Sequence, residues 1–66
     1  MNGKRTAQLL ESWLSAIPLS NNEVQELIDG LKFICDFCRE CKLSPLTLYY
    51  NMQLESLERV KEARKN

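Results

Sequence analysis

The chain has 66 residues, with nine basic and nine acidic side chains, three cysteines and no histidine. A chain of this length forms one domain at most and buries only about 60% of its unfolded surface, so a disulfide, a metal or a second subunit commonly supports such a fold. The balanced charge argues against a general attraction to nucleic acid or acidic membranes. We expect no enzyme, because the sequence has no histidine, no glycine-rich phosphate loop and no pair of a nucleophile and a base.

Nothing in the sequence resembles a strong targeting or membrane-spanning segment. Lys4 and Arg5 precede apolar residues as in a signal peptide, but Gln8, Glu11 and Ser12 interrupt the apolar run. No apolar run approaches the length of a membrane span. Three clustered cysteines also differ from the even-numbered disulfide framework of small secreted proteins. We therefore expect a cytoplasmic protein with free thiols.

The first predicted helix covers about residues 6–17, after a polar segment of five residues that we expect to be frayed. Pro18 is expected to end it, because the residue before a proline avoids helical geometry. The apolar residues of this helix recur at helical spacing. They are Leu9, Leu10, Trp13, Leu14 and Ile17.

The second predicted helix covers about residues 21–42 and is the best marked. Ser20 and Glu23 have the spacing of a capping box, and Leu19 and Val24 have the spacing of a hydrophobic staple. Apolar residues repeat every three or four positions, with Ile28 and Cys35 widening the face. The repeating residues are Val24, Leu27, Leu31, Ile34, Cys38 and Cys41.

Two features of this helix determine where it is expected to lie. Gly30 follows Asp29 and could mark a turn, but the apolar repeat keeps the same phase on both sides, which favours one unbroken helix. Phe33 and Phe37 form a second apolar patch beside the main face. A helix with two apolar patches is expected to lie between two neighbours, with Trp13 of the first helix against one of the phenylalanines.

The third predicted helix covers about residues 45–63. Ser44 is expected to be its N-cap and Pro45 its first helical residue. Gln53 interrupts the apolar face, and a lone polar residue there can set register or partner choice. The apolar face consists of Leu46, Tyr50, Leu57 and Val60, with Tyr49 and Leu54 beside it.

Together these patterns predict an all-α, three-helix fold in a single domain over residues 1–66. The expected architecture is a long helical hairpin with the shorter N-terminal helix packed across it, a small bundle that forms a dimer. The expected core residues are Leu27, Leu31, Ile34, Leu57 and Val60.

The motif Cys35-x-x-Cys38-x-x-Cys41 is a candidate metal site, because three residues at this spacing point within about 120° of one another. Zinc needs a fourth ligand, for which only Asp36, Glu40 or a second chain is at hand, and the fourth cysteine of a ferredoxin-type motif is absent. A cysteine pair in mid-helix also lacks the helix N-terminus that activates redox thiols. The favoured interpretation is three small hydrophobes, with metal binding as an alternative and no cofactor expected.

DNA recognition is the second candidate function. A short turn before the third helix, with Thr47, Asn51 and Gln53 on that helix, is compatible with a helix-turn-helix. These positions carry no lysine or arginine, and the nearest cations are Lys42 and Arg59. Because phosphate contacts supply most of such binding, a solvated polar face is the favoured interpretation.

Protein–protein interaction is the function that the sequence favours. More apolar surface is present than three helices readily cover. We therefore expect a small non-enzymatic regulator or adaptor that binds a protein partner through a helical face and forms a homodimer, with the DNA-binding regulator and the cysteine-based metal module as alternatives. The expected interface residues are Phe33, Phe37, Tyr49, Tyr50 and Leu54.

Overall fold

The computed structural model describes residues 3–65, which form three α-helices and contain no β-strand. Helix α1 spans Gly3–Leu14, α2 spans Asn21–Glu40 and α3 spans Ser44–Lys65. The radius of gyration is 11.7 Å, close to the value of about 11 Å for a folded chain of this length. The predicted all-α class with three helices is confirmed. Among the described residues, no helix combines the length and the apolar character needed to cross a membrane.

Helix α1 begins and ends three residues earlier than the predicted range of 6–17. The N-terminal segment that we expected to be frayed is helical from Gly3, and its first two residues lie outside the described part of the chain. Two ion pairs hold the first turn against α2, since Arg5 lies 3.7 Å from Glu23 and 3.2 Å from Glu26. No local pattern in the sequence indicates these contacts, because they join residues about twenty positions apart.

The end of α1 is a Schellman motif. The Ile17 N–H donates to the Ser12 carbonyl at 2.9 Å, and the Ala16 N–H donates to the Trp13 carbonyl at 3.1 Å. Ala16 has φ 60°, the left-handed conformation that this motif requires and that glycine usually supplies. The helix therefore ends ahead of the position that Pro18 restricts, and the prediction that the proline ends it is wrong.

Helix α2 ends in the same way, at Glu40. The Leu43 N–H donates to the Cys38 carbonyl at 2.8 Å, and the Lys42 N–H donates to the Arg39 carbonyl at 3.1 Å. Lys42 has φ 59° and occupies the left-handed position. This reversal ends the helix two residues before the predicted boundary and turns the chain directly into α3.

Helix α3 begins at Ser44, one residue before the predicted start. The Leu43 carbonyl accepts the Thr47 N–H at 3.0 Å and the Thr47 hydroxyl at 3.1 Å. Leu43 therefore stands at the N-cap, and the expected N-cap, Ser44, is the first helical residue. The helix continues to Lys65, two residues beyond the predicted end.

The start of α2 follows the prediction. The Ser20 side chain accepts the Glu23 N–H at 3.2 Å, and the Glu23 carboxylate accepts the Ser20 N–H at 2.9 Å. Leu19 and Val24 are both buried in the same apolar cluster, as a hydrophobic staple requires. The capping box is confirmed.

Helix α2 runs without a break through Gly30, which confirms the predicted continuity. The glycine lies where α1 crosses α2. A methyl group built on it would overlap the Thr6 hydroxyl, lie 2.7 Å from Thr6 Cγ2 and lie 3.0 Å from Thr6 Cβ. The absence of a side chain therefore lets the two helices approach closely, with Thr6 itself buried.

The buried cluster draws more residues from α2 than from the other two helices. Of the five predicted core residues, Leu27, Leu31 and Leu57 are fully buried, whereas Ile34 and Val60 are half-buried. Because α2 packs against both α1 and α3, it lies in the middle of the fold. The cluster consists of Leu9, Leu19, Val24, Leu27, Ile28, Leu31 and Leu57.

Helices α2 and α3 lie side by side and run in opposite directions. Near one end the Arg64 guanidinium donates to the Asn21 side chain at 3.1 Å and to the Leu19 carbonyl at 2.7 Å. Towards the other end the Cys35 thiol donates to the Asn51 side chain at 3.6 Å. Arg64 therefore joins α3 to the connector between α1 and α2.

Trp13 faces α3. Its indole N–H donates to Gln53 Oε1 at 3.0 Å, and its ring packs against the buried cluster. The predicted contact between Trp13 and Phe33 or Phe37 is wrong, because Gln53 offers the indole an acceptor while both phenylalanines face outwards. The polar interruption in α3 thus gives α1 a hydrogen bond to α3.

Candidate interaction surfaces

Phe33 and Phe37 are the most exposed aromatic residues described, with 61% and 59% of their surface accessible. They lie four positions apart on α2 and therefore on one side of the helix. Asp36 and Glu40 line the same shallow groove. The second apolar patch of α2 is thus uncovered, and the central position of α2 results from the main apolar face and from Gly30.

The other three predicted interface residues lie on α3 and do not continue this surface. Tyr50 and Leu54 are half-buried against the core, because they share the side of α3 that carries Leu57. Tyr49 is 39% exposed and makes an edge-to-face contact with Tyr50, with ring centroids 5.4 Å apart. The structure thus leaves the two phenylalanines as the most exposed part of the predicted interface, and Tyr49 is exposed on a different helix.

Several exposed apolar side chains were not predicted to be exposed. Leu48 and Met52 are 64% and 58% exposed on α3, where they lie four residues apart. Leu46, assigned to the apolar face, is also exposed, near the start of α3. Leu14 and Ile17 are exposed because α1 ends at Leu14. A periodic pattern alone gives no measure of how far a neighbouring helix reaches.

The three cysteines are not brought together as metal ligands. Cys35 and Cys38 are buried and Cys41 is exposed. Among residues 3–65, no group of three histidine, cysteine, aspartate or glutamate side chains is placed to hold a metal ion. Burial raises the pKa of the Cys35 thiol, and the neighbouring Cys38 raises it further. Cys35 is therefore held as a neutral thiol, which is neither a good nucleophile nor a good ligand.

The candidate DNA-reading side chains are engaged within the fold. The Thr47 hydroxyl donates a hydrogen bond to a backbone carbonyl. The Asn51 side chain accepts a hydrogen bond from the Cys35 thiol, and the Gln53 side chain accepts one from the Trp13 indole N–H. Gln53 thus faces α1, whereas Asn51 faces α2. These three side chains do not form one reading surface.

Two of them nevertheless border a groove with basic residues. Thr47 and Asn51 line it together with Arg39 and Lys42, at the turn between α2 and α3. Arg39 also lies 3.7 Å from Asp36. Two cations give this groove limited attraction for a phosphate backbone.

Comparison with known proteins assigns no family to the chain. Protein-family models, curated proteins and solved structures all give no match. The function is therefore inferred from the side chains described above.

Proposed function

We propose that this chain is a small non-enzymatic regulatory or adaptor protein that binds another protein through the outer face of α2. The observation that carries the proposal is the pair Phe33 and Phe37, which lies side by side in water with about three-fifths of each side chain accessible. Aromatic residues are enriched at the centres of protein interfaces, and an exposed aromatic pair on a rigid helix is a suitable anchor for a partner.

The exposed area indicates the kind of contact. An aromatic side chain offers about 200 Å², so the pair leaves about 240 Å² in water. Burying this area would contribute about 6 kcal/mol, comparable with the cost of association of about 4–15 kcal/mol. A stable interface covers about 800 Å² on each partner. The phenylalanines therefore serve as the anchor of a larger contact that includes polar neighbours.

Affinity capture from the native host with the full chain tests the proposal. The variant Phe33→Ser/Phe37→Ser removes the anchor, and Leu48→Ser/Met52→Ser is a matched control with the same spacing and similar exposure on α3. All four side chains are exposed, so we expect both variants to keep the wild-type thermal unfolding midpoint. Proteins recovered by the wild type and the control, but lost with the phenylalanine variant, would support the proposal.

Two results would contradict it. Recovery of the same proteins by the phenylalanine variant would show that the outer face of α2 is not the contact surface. Loss with the α3 control alone would place the contact on α3 instead.

The proposal includes a homodimer and a cytoplasmic location. The architecture it uses is a helical hairpin formed by α2 and α3, with α1 laid across it. Leu14 and Ile17, which are exposed at and just after the end of α1, give a second copy of the chain a surface separate from the phenylalanines. Sedimentation equilibrium tests the dimer, since a mass of 7.7 kDa that stays constant at every concentration would exclude it.

DNA binding is the second candidate, and the groove containing Arg39 and Lys42 is the observation in its favour. Two phosphate contacts correspond to a salt slope of about −1.8, far below that of repressors that make six to ten contacts. A gel shift at low salt that disappears with Arg39→Gln/Lys42→Gln would support this alternative, whereas no shift at low salt would exclude it.

A further inference from the structure

The outer face of α2 carries carboxylates as well as phenylalanines. At 100° per residue, five exposed residues of α2 between positions 29 and 40 fall within an arc of about 100°. None of the five belongs to the buried cluster. We call this surface the acidic–aromatic stripe, and it consists of Asp29, Phe33, Asp36, Phe37 and Glu40.

The positive charges near the stripe neutralise it only in part. Arg39 lies 3.7 Å from Asp36, but both side chains are exposed, so the pair is weak. Asp29 accepts a hydrogen bond from the neutral Gln25 side chain at 2.9 Å. Lys32 is directed to a glutamate of α3 at 3.9 Å. Three carboxylates beside one guanidinium leave the stripe with a net negative charge.

We propose that the partner of this stripe is a basic amphipathic helix. Its apolar residues would cover Phe33 and Phe37, and its lysine or arginine side chains would pair with Asp36 and Glu40 while lying over the aromatic rings. A helix laid on an apolar surface is a common mode of peptide recognition, and cations are attracted to aromatic faces within about 6 Å. This inference rests on the proposed function and specifies the chemistry of its partner.

The same charges argue against a second copy of the chain at this position. A two-fold dimer places the same surface on both sides, so the stripe would meet itself and bring like carboxylates together. A basic partner instead neutralises them. The stripe thus favours a different protein, and self-association belongs to another face.

Binding of synthetic peptides to the full chain tests the partner's chemistry. The probe is a labelled peptide of about 18 residues with an apolar helical face flanked by lysines, and the comparison peptide has glutamate in place of each lysine. We expect the lysine peptide to bind at least about tenfold more tightly than the glutamate peptide in fluorescence anisotropy, and the difference to shrink with added salt.

Substitutions in the acidic–aromatic stripe test whether the peptide binds there. Phe33→Ser/Phe37→Ser is expected to abolish binding of the lysine peptide. Asp36→Asn/Glu40→Gln is expected to weaken it about fivefold, the effect of losing two exposed ion pairs. As a control, the substitution of two exposed carboxylates of α3 should leave the dissociation constant unchanged. These are Glu55→Gln and Glu62→Gln.

Equal binding of both peptides, or no effect of removing the two stripe carboxylates, would overturn the inference. Stripe-dependent self-association in place of peptide binding would also overturn it, in favour of a second copy. If neither peptide binds but affinity capture still yields partners that depend on the phenylalanines, the proposed function stands and the basic partner is wrong.

Discussion

The close approach of α1 and α2 at Gly30 can be tested by replacing the glycine with alanine. The sign of the change in the free energy of unfolding shows whether helix propensity or overpacking dominates at this position. At a helix position without neighbours, replacing glycine by alanine stabilises by about 1 kcal/mol. At Gly30 the new methyl group would overlap the buried Thr6 side chain, with Cγ2 at 2.7 Å and Cβ at 3.0 Å. Overpacking of this kind costs about 1–3 kcal/mol and forces the helices apart.

We expect Gly30→Ala to destabilise the protein by about 1–2 kcal/mol, because separating the helices also loosens the packing of Leu9. In a domain of this size that lowers the melting temperature by about 4–15 °C. Urea unfolding followed by circular dichroism measures it as a lower midpoint with an unchanged slope. Gly3→Ala is the matched control, since a methyl group there meets nothing within 4 Å.

A double-mutant cycle tests the assigned cause. Thr6→Ala removes the hydroxyl and Cγ2, so Gly30→Ala should cost at least about 1 kcal/mol less in that background than in the wild type. The remaining Cβ at 3.0 Å keeps the contact tight. If Gly30→Ala is as stable as the wild type, or if its cost is the same in both backgrounds, the close packing inferred here is wrong.

Three further predictions follow from single side chains. Ala16→Gly and Lys42→Gly should each stabilise by about 0.5–1 kcal/mol in urea unfolding, because both residues adopt the left-handed conformation; unchanged midpoints would contradict this. In the native protein a thiol reagent should modify Cys41 quickly and Cys35 only on unfolding, since only the former is exposed; equal rates would contradict it. The hydrogen bonds from Ser20 lower the pKa of Glu23, so the ionised carboxylate stabilises the folded protein above the ordinary carboxyl pKa, and this stabilisation is lost as the pH falls through the pKa of the folded state. The variant Glu23→Gln should therefore reduce the loss of stability in acid, and a pH profile of unfolding identical to that of the wild type would contradict this.

Local signals in the sequence predicted α2 well. The spacing of Ser20 and Glu23 identified its start, and the unbroken apolar phase across Gly30 identified its continuity. The buried positions Leu27 and Leu31 followed from the same repeat. These features succeed because each depends on residues within a few positions of one another.

The helix ends were harder to predict, because the usual signal is absent. A Schellman motif is recognised by its glycine, and here alanine and lysine stand in the left-handed position. The ends of α1 and α2 were therefore placed three and two residues too late.

The candidate interaction surface was predicted in part. Phe33 and Phe37 were expected beside the main apolar face and are exposed. Tyr50 and Leu54 pack against the core instead, because the burial of a residue at the edge of an apolar face depends on how the neighbouring helices are placed. That placement rests on contacts such as Trp13 with Gln53, which join residues 40 positions apart.

The bond from Arg64 to the Leu19 carbonyl spans 45 positions in the sequence. During synthesis on a ribosome, this hydrogen bond to the connector between the first two helices can form only after nearly all of α3 has emerged. A nascent chain that ends after α2 would expose Leu27, Leu31 and their neighbours, whose burial depends on the third helix. The fold therefore closes only when α3 is available to cover α2, and until then the apolar surface of α2 is accessible to chaperones.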